Sequence, residues 1–335
     1  MNAALDLVIM SADHDAHATM VDRARRAEEL GYSRVSTGEA TGWNVVPALS
    51  LIGNQTEEIG ISNDVFSPYG RSPAMLAQTA LALQDLSDGR FRLGLGPSSP
   101  PLTESWHGAT FERPLRRLRE TVEVVRSIFD DGNASYAGEI FDMDGLSYER
   151  ELPETPPPID LATLGPKATE LTGRFADGWV PQLFSLAGLE ERYSDLERGM
   201  ALGGRYPADV RVSPILRCFA STDRERARDA TRSMLAFLVG AYGPHYGDSV
   251  AAQGYRDVVD EIRAAWTADD RAAMADAITD DMLDEFAAAG TPEEVRTRVE
   301  QYAETDSVDA VRVGFVFGMT EDEKEKTMAA IARLL

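Results

Sequence analysis

The chain has 335 residues, with 56 Asp+Glu against 33 Lys+Arg and a formal net charge of −23. Only Lys167, Lys324 and Lys326 are lysines, so 33 − 3 = 30 basic residues are arginine. Such an acidic surface repels nucleic acid and anionic lipid, which sets both aside as partners, and 43% hydrophobic residues in periodic runs argue against disorder. In chain order, a buried strand is predicted over Leu5–Met10 and a helix over Met20–Leu30, closed by Gly31. A strand over Arg34–Thr37 precedes a helix over Pro47–Gln55, and a strand over Glu58–Ser62 precedes a helix over Pro73–Leu86. Phe91–Leu95 and Leu115–Phe129 form the fourth such pair, and Ala134–Arg150 has the alternation and turn signals of a hairpin insertion. Ile159–Thr163, Trp179–Val180, Val210–Phe219 and Ala310–Phe315 are the remaining strands. Helices follow them at Lys167–Phe175, Ala187–Arg198, Arg224–Val239 and Glu321–Leu335.

Eight strand-then-helix units predict an α/β fold, a closed (β/α)8 TIM-like barrel with insertions near 134–150 and 243–290 in a single domain spanning 1–335. A doubly wound open sheet has the same periodicity. The second insertion carries helical patterning over Tyr255–Trp266 and Asp281–Ala289, then a helix start at Thr291-Pro292-Glu293-Glu294. The lone Cys218 rules out an internal disulfide and sits in an apolar run as a buried thiol. No apolar run reaches membrane-spanning length, and Met1–Met10 lacks the basic start of a signal peptide, so a cytoplasmic protein is expected. An acidic, lysine-poor surface suits a cytoplasm of molar salt, where screening shortens self-repulsion.

A barrel of this kind works at the C-terminal ends of its strands. The fifth such loop, Thr163-Leu164-Gly165-Pro166-Lys167, opens a helix directly after a strand. Free amides and the positive end of the helix dipole make it either a phosphate seat or a plain helix start. The fourth holds Gly94-x-Gly96, which lacks a third glycine and is followed by Pro97, Pro100 and Pro101, so a nicotinamide fingerprint is not expected. It reads as a close backbone approach to a flat ligand or as a tight turn. Glu39 is a strand-end acid, buried and functional or merely one of many surface carboxylates. His14 and His17 have zinc-ligand spacing without a third ligand, a solvated helix start being the simpler reading, and His107 reads as a loop-ordering residue. No metal site is expected.

Several motifs carry a resemblance. Gly89-Arg90-Phe91-Arg92-Leu93-Gly94-Leu95-Gly96-Pro97, Glu104-x-Trp106-His107-Gly108, Arg113-Pro114-Leu115, Ala162-Thr163-Leu164-Gly165-Pro166-Lys167 and Asp177-Gly178-Trp179-Val180-Pro181 resemble the bacterial-luciferase-like superfamily. Ser67-Pro68-Tyr69-x-Arg71-Ser72-Pro73 and Asp281-x-Leu283-x-x-Phe286 resemble its coenzyme F420 branch, near methylene-tetrahydromethanopterin reductase. The resemblance implies a deazaflavin lying across the strand ends and a homodimer. It implies a non-prolyl cis peptide at Asp64–Val65 behind the middle ring, with Asn63, Asp64 and Val65 in the cofactor site. Thr103 falls where relatives hold a polar residue against the pyrimidine end, and Thr163, Leu164, Gly165, Pro166 and Lys167 fall on the phosphate turn. Relatives carry an acid–histidine pair after strand 2; here it reads Glu39-Ala40, leaving Glu39 as the expected catalytic proton relay. The implied activity is hydride transfer between the deazaflavin C5 and a small-molecule substrate, such as a methylene-tetrahydropterin or methylene-tetrahydrofolate. An FMN monooxygenase and a non-catalytic cofactor-binding or structural barrel are the alternatives. The anionic cofactor tail requires a local exception to the acidic field, around Leu164–Lys167.

Overall fold

The computed structural model describes residues 3–9 and 17–335. Its strands are β1 (Ala4–Val8), β2 (Arg34–Thr37), β3 (Gly60–Asn63), β4 (Phe91–Leu95), β5 (Tyr136–Ala137), β6 (Asp142–Met143), β7 (Ile159–Leu161), β8 (Gly178–Trp179), β9 (Arg211–Val212), β10 (Ile215–Ala220), β11 (Ala287–Gly290) and β12 (Ala310–Gly314). Ten of them form one parallel sheet in the order β11-β10-β12-β1-β2-β3-β4-β7-β8-β9. The sheet closes because β9 and β10 are halves of one run. On one side Ser213 N donates to Trp179 O at 2.9 Å and Ile215 N to Pro181 O at 2.8 Å; on the other, Asp309 N reaches Val212 O at 2.9 Å and Arg312 N reaches Pro214 O at 2.9 Å. The result is a TIM-like barrel walled by helices. The expected open-sheet alternative does not occur.

Two elements differ from the sequence reading. The single strand expected over Val210–Phe219 is split at Ser213-Pro214, because proline has no amide for the ladder. The helical pattern expected over Asp281–Ala289 ends at Phe286, and Ala287–Gly290 is strand instead. This strand pairs Arg217–Ala220 residue for residue with Ala287–Gly290 along an edge of β10. Alanine prefers helix in isolation, but an otherwise open strand edge between two helix layers overrides that preference.

Local chemistry sets most other boundaries. Gly31 (φ +87°) closes the helix His17–Glu29, and Ser72 caps Pro73–Leu86 by accepting the Met75 amide at 3.3 Å. Thr291 and Thr320 open their helices with capping boxes to Glu294 and Glu323. The 134–150 insertion is a hairpin of β5 and β6. It is pinned by the Glu120 carboxylate, which accepts amides of Glu139, Ile140 and Phe141 at 2.8–3.1 Å.

The barrel interior carries charge. Asp6, Asp160 and Arg312 each sit between apolar strand neighbours and are at most 2% exposed. Arg312 donates to Asp64, to Asp160 Oδ2 at 3.1 Å and to Ser213 Oγ at 3.0 Å. Arg92 chelates Asp160 through Nε at 3.0 and 3.1 Å, and Arg211 reaches Asp6 at 2.8 and 3.1 Å. Burial opposes ionisation of Asp160, yet Arg92, Arg312 and Arg34 outweigh it and bring its pKa down to about 2. Asp6 is lowered in the same way, burial being overcome by Arg211, Arg312 and Arg34.

Candidate active site

A cavity of about 780 Å³ opens at the C-terminal strand ends, a volume typical of cofactor and substrate sites. Its back wall is built where β3 leaves the sheet. The Asp64–Val65 peptide bond is cis, as the resemblance implies, and Val65 faces the cavity. The Asp64 carboxylate is tied down by Arg312 and by Ser36 Oγ at 2.5 Å. Two glycines make room for this bulge. A Cβ on Gly94 would collide with the Asn63 carbonyl, and one on Gly96 would lie 2.6 Å from Val65 Cγ2.

The residues expected to bind a cofactor are not all at the surface of the cavity. Asp64, Val65, Thr163, Leu164, Gly165, Pro166 and Lys167 line it; Asn63 and Thr103 do not. Asn63 is buried behind the wall, where its side chain donates to Gly94 O at 2.6 Å and accepts from Gly94 N at 2.9 Å. Thr103 is buried in a wide helical turn over Pro101–Trp106, its hydroxyl bonded to Ser98 Oγ at 3.2 Å, and Leu102 takes the lining position.

At the far end, Gly165 caps the helix Pro166–Phe175 without any side-chain bond, and a Cβ there would meet nothing within 4 Å. The first helical amides therefore face open space. Thr163 fixes the turn, sharing a hydroxyl bond of 2.8 Å with Thr172 and accepting Trp179 Nε1 on its carbonyl at 3.0 Å. Two cationic side chains line this region, Lys167 and, from the helix Leu186–Gly203, Arg192. Arg192 pairs with Asp195 at 2.5 Å, while its buried Nε has no partner.

Glu39 lines the opposite end, with both carboxylate oxygens engaged by Arg71, one at 2.9 Å, and a further bond from Val45 N at 3.1 Å. Arg71 is itself stacked on the Phe66 ring, 4.2 Å from its centroid. Three accepted bonds thus hold the Glu39 carboxylate in place and tie the loop after β2 to Arg71.

The 243–290 insertion provides the outer wall. His245, Tyr246 and Ser249 face the cavity, as does Tyr242 just before the insertion, with the His245 ring 6.3 Å from Phe111. Gln253 latches this segment. Its oxygen accepts from Ser185 N at 2.9 Å and Oγ at 3.2 Å, and its amide donates to Leu183 O at 3.0 Å and Ser249 O at 3.1 Å. Of the residues considered for other roles, His14 lies outside the described residues and His17 packs against Trp43 at 4.4 Å. His107 packs on Gly70, and burial pushes the Cys218 thiol up. Among the described residues no cluster could hold a metal ion, and no helix is long and apolar enough to cross a membrane.

A family model described as luciferase-like monooxygenase matches residues 8–307. The chain belongs to the luciferase-like family. A Mycobacterium tuberculosis protein assigned to the coenzyme F420-dependent oxidoreductases is 30% identical over 304 residues, 84% of this luciferase-like chain and 86% of the relative. The 5,10-methylenetetrahydromethanopterin reductase of Archaeoglobus fulgidus is 27% identical over 310 residues, covering 92% and 91%. The coenzyme F420-dependent tetrahydromethanopterin reductase of Methanopyrus kandleri superposes with a TM-score of 0.83 at 20% identity over 99% and 98% of the two chains. Arg192, Gln182, Tyr242 and Tyr246 escaped the sequence reading. Arg192 sits on a helix, Gln182 in the loop after β8 and the tyrosines just before and within the second insertion, and only the folded chain brings them to the strand ends.

Proposed function

We propose that this luciferase-like protein is a coenzyme F420-dependent oxidoreductase. The carrying observation is the pairing, within one cavity, of a wall at Asp64–Val65, backed by Gly94 and Gly96, with an uncapped helix start and the cationic side chains Lys167 and Arg192. The wall suits a planar ring system, and the helix start suits the ring's phosphate-bearing tail. These residues fit the coenzyme, and the M. tuberculosis relative named for coenzyme F420 supports that choice. When bound, the deazaflavin supplies or accepts a hydride at C5. The chain's own residues do the rest. Val65 would back the ring, Lys167, Arg192 and the amides after Gly165 would hold the anionic tail, and the insertion wall would exclude water from the reacting face. Glu39 acts as a positioning residue through Arg71.

A methylene-tetrahydropterin or methylene-tetrahydrofolate is the favoured substrate, on the likeness to the A. fulgidus reductase. The test is turnover of reduced coenzyme F420 with a panel of methylene-tetrahydropterins and simple carbonyl compounds. Oxidation of the coenzyme only with the pterins supports this substrate; oxidation only with the carbonyls overturns it. The family model's name favours one other reading, an FMN monooxygenase. Oxygen consumption with reduced FMN would single it out.

A further inference from the structure

Turning the N–CH2–N bridge of a methylene-tetrahydropterin into an N-methyl group takes one hydride at the carbon and one proton at the nitrogen that is released. The outer wall offers a donor for that proton, Tyr246, which faces the cavity. Its hydroxyl lies 3.4 Å from the side-chain amide of Gln182, which also lines the cavity.

The polarity of that contact is set from behind. The Gln182 amide satisfies its neighbours only with its oxygen turned to Arg217, which then donates from Nη2 at 2.8 Å and Nε at 3.2 Å. Its NH2 group therefore faces Tyr246 and donates to the phenol oxygen. A phenol that accepts from Gln182 must send its own proton elsewhere, and the open direction is the cavity. Arg217 is anchored in turn, donating from Nη1 to Phe315 O at 3.3 Å, and lies buried in β10.

We propose that Tyr246 is the proton donor of the reaction, with Arg217 and Gln182 as the positioning residues that fix its polarity. This rests on the oxidoreductase reading above. In the reducing direction, the bond between the methylene carbon and N10 of the substrate breaks with its pair going to N10, and the Tyr246 O–H bond breaks as its proton goes to that nitrogen; a hydride from the reduced coenzyme then forms the new C–H bond at the N5 methylene iminium carbon, whose C=N π pair returns to N5 to leave an N-methyl group. The phenolate is left facing the Gln182 N–H, one amide from the Arg217 charge. Water restores the proton after release. Burial, then the neighbouring Tyr242, pushes the Tyr246 phenol up to about 12 while Arg217 and Asp64 act on it in opposite directions, so the donor form is filled at neutral pH.

The test compares wild type, Y246F and Q182E. Fluorescence titration with oxidised coenzyme F420 should give Y246F an affinity within about threefold of wild type, because the phenol oxygen is not needed to hold the ring. Turnover of methylene-tetrahydromethanopterin with reduced coenzyme should fall about 100-fold or more in Y246F. It should fall similarly in Q182E, whose carboxylate accepts the tyrosine proton and reverses the polarity. Independently of turnover, the Gln182 side-chain amide NMR signal, identified by its loss in Q182E, should shift in Y246F. Turnover of Y246F close to wild type, or an unmoved Gln182 signal, overturns the proposal while leaving the coenzyme reading intact. Failure of the wild type to bind the coenzyme overturns that reading instead, and the Gln182 signal then decides the Tyr246 arrangement by itself.

Discussion

Glu39 illustrates how a residue type can be found in a sequence while its work cannot. Its place after β2 marks it as an acid at the strand ends, but its role depends on Arg71, 32 residues further along. The pair predicts that E39Q, which keeps one oxygen for Arg71, retains turnover within about threefold. E39A should lose roughly 1–3 kcal/mol of stability by stranding the half-buried guanidinium. Steady-state kinetics beside thermal unfolding checks this, and a 100-fold loss in E39Q would restore the proton-relay role. Lys167 and Arg192 give a second prediction. K167Q and R192Q should each weaken coenzyme F420 by about tenfold, the worth of one charge-assisted bond, yet leave the phosphate-free deazaflavin almost unaffected. Equal weakening of both ligands in titrations would show that neither cation meets the phosphate. Lys167 was legible because it sits in a turn with a meaning of its own. Arg192 was not, since one arginine among 30 on an amphipathic helix carries no local mark.

At the scale of elements, strands and helices with strong local signals fall where the sequence places them. Arg34–Thr37, Pro73–Leu86 and Phe91–Leu95 match residue for residue, because their caps, turns and apolar runs are all local. The misses have non-local causes. Ala287–Ala289 is strand only because β10 offers an edge, and the cavity wall at Tyr242–Ser249 depends on a latch to a loop some 70 residues earlier. That latch is testable. Q253A removes four hydrogen bonds and should raise amide exchange selectively over residues 244–255, by a local destabilisation of about 1–3 kcal/mol. Exchange that rises evenly through the barrel, or nowhere, would mean that Gln253 does not hold the segment.

The whole molecule combines an acidic exterior with a barrel interior of paired charge. The interior had a readable sign, a charged residue between two apolar ones in mid-strand, as in Leu5-Asp6-Leu7, Ile159-Asp160-Leu161 and Val311-Arg312-Val313. Which of them meet could not be read, because the pairing of β1 with β12, which sets Asp6 beside Arg312, and the reach of Arg312 to Asp160 on β7 are fixed only by the closed sheet. Asp6 and Asp160 bind protons more weakly folded than unfolded, so their stabilisation is full above the ordinary value of 3.8 and is lost as pH falls toward about 2. Acid unfolding followed by fluorescence should therefore fall in that window. D160N should cost about 3–5 kcal/mol at neutral pH, by leaving Arg92 and Arg312 short of a partner, and should flatten the acid limb. An acid limb unchanged in D160N would contradict the buried network as its source. The exterior charge of −23 works against an anionic coenzyme. The cationic end of the cavity at Lys167 and Arg192 is the local exception, and added salt, which mutes the repulsive field, should matter less for binding than loss of either residue.

The most direct test of the central claim is equilibrium binding of coenzyme F420 and of FMN to the purified protein, each oxidised and reduced, under the same salt. Saturable binding of the deazaflavin is expected, with FMN at least about tenfold weaker. Tight binding of FMN with none of the deazaflavin would contradict it.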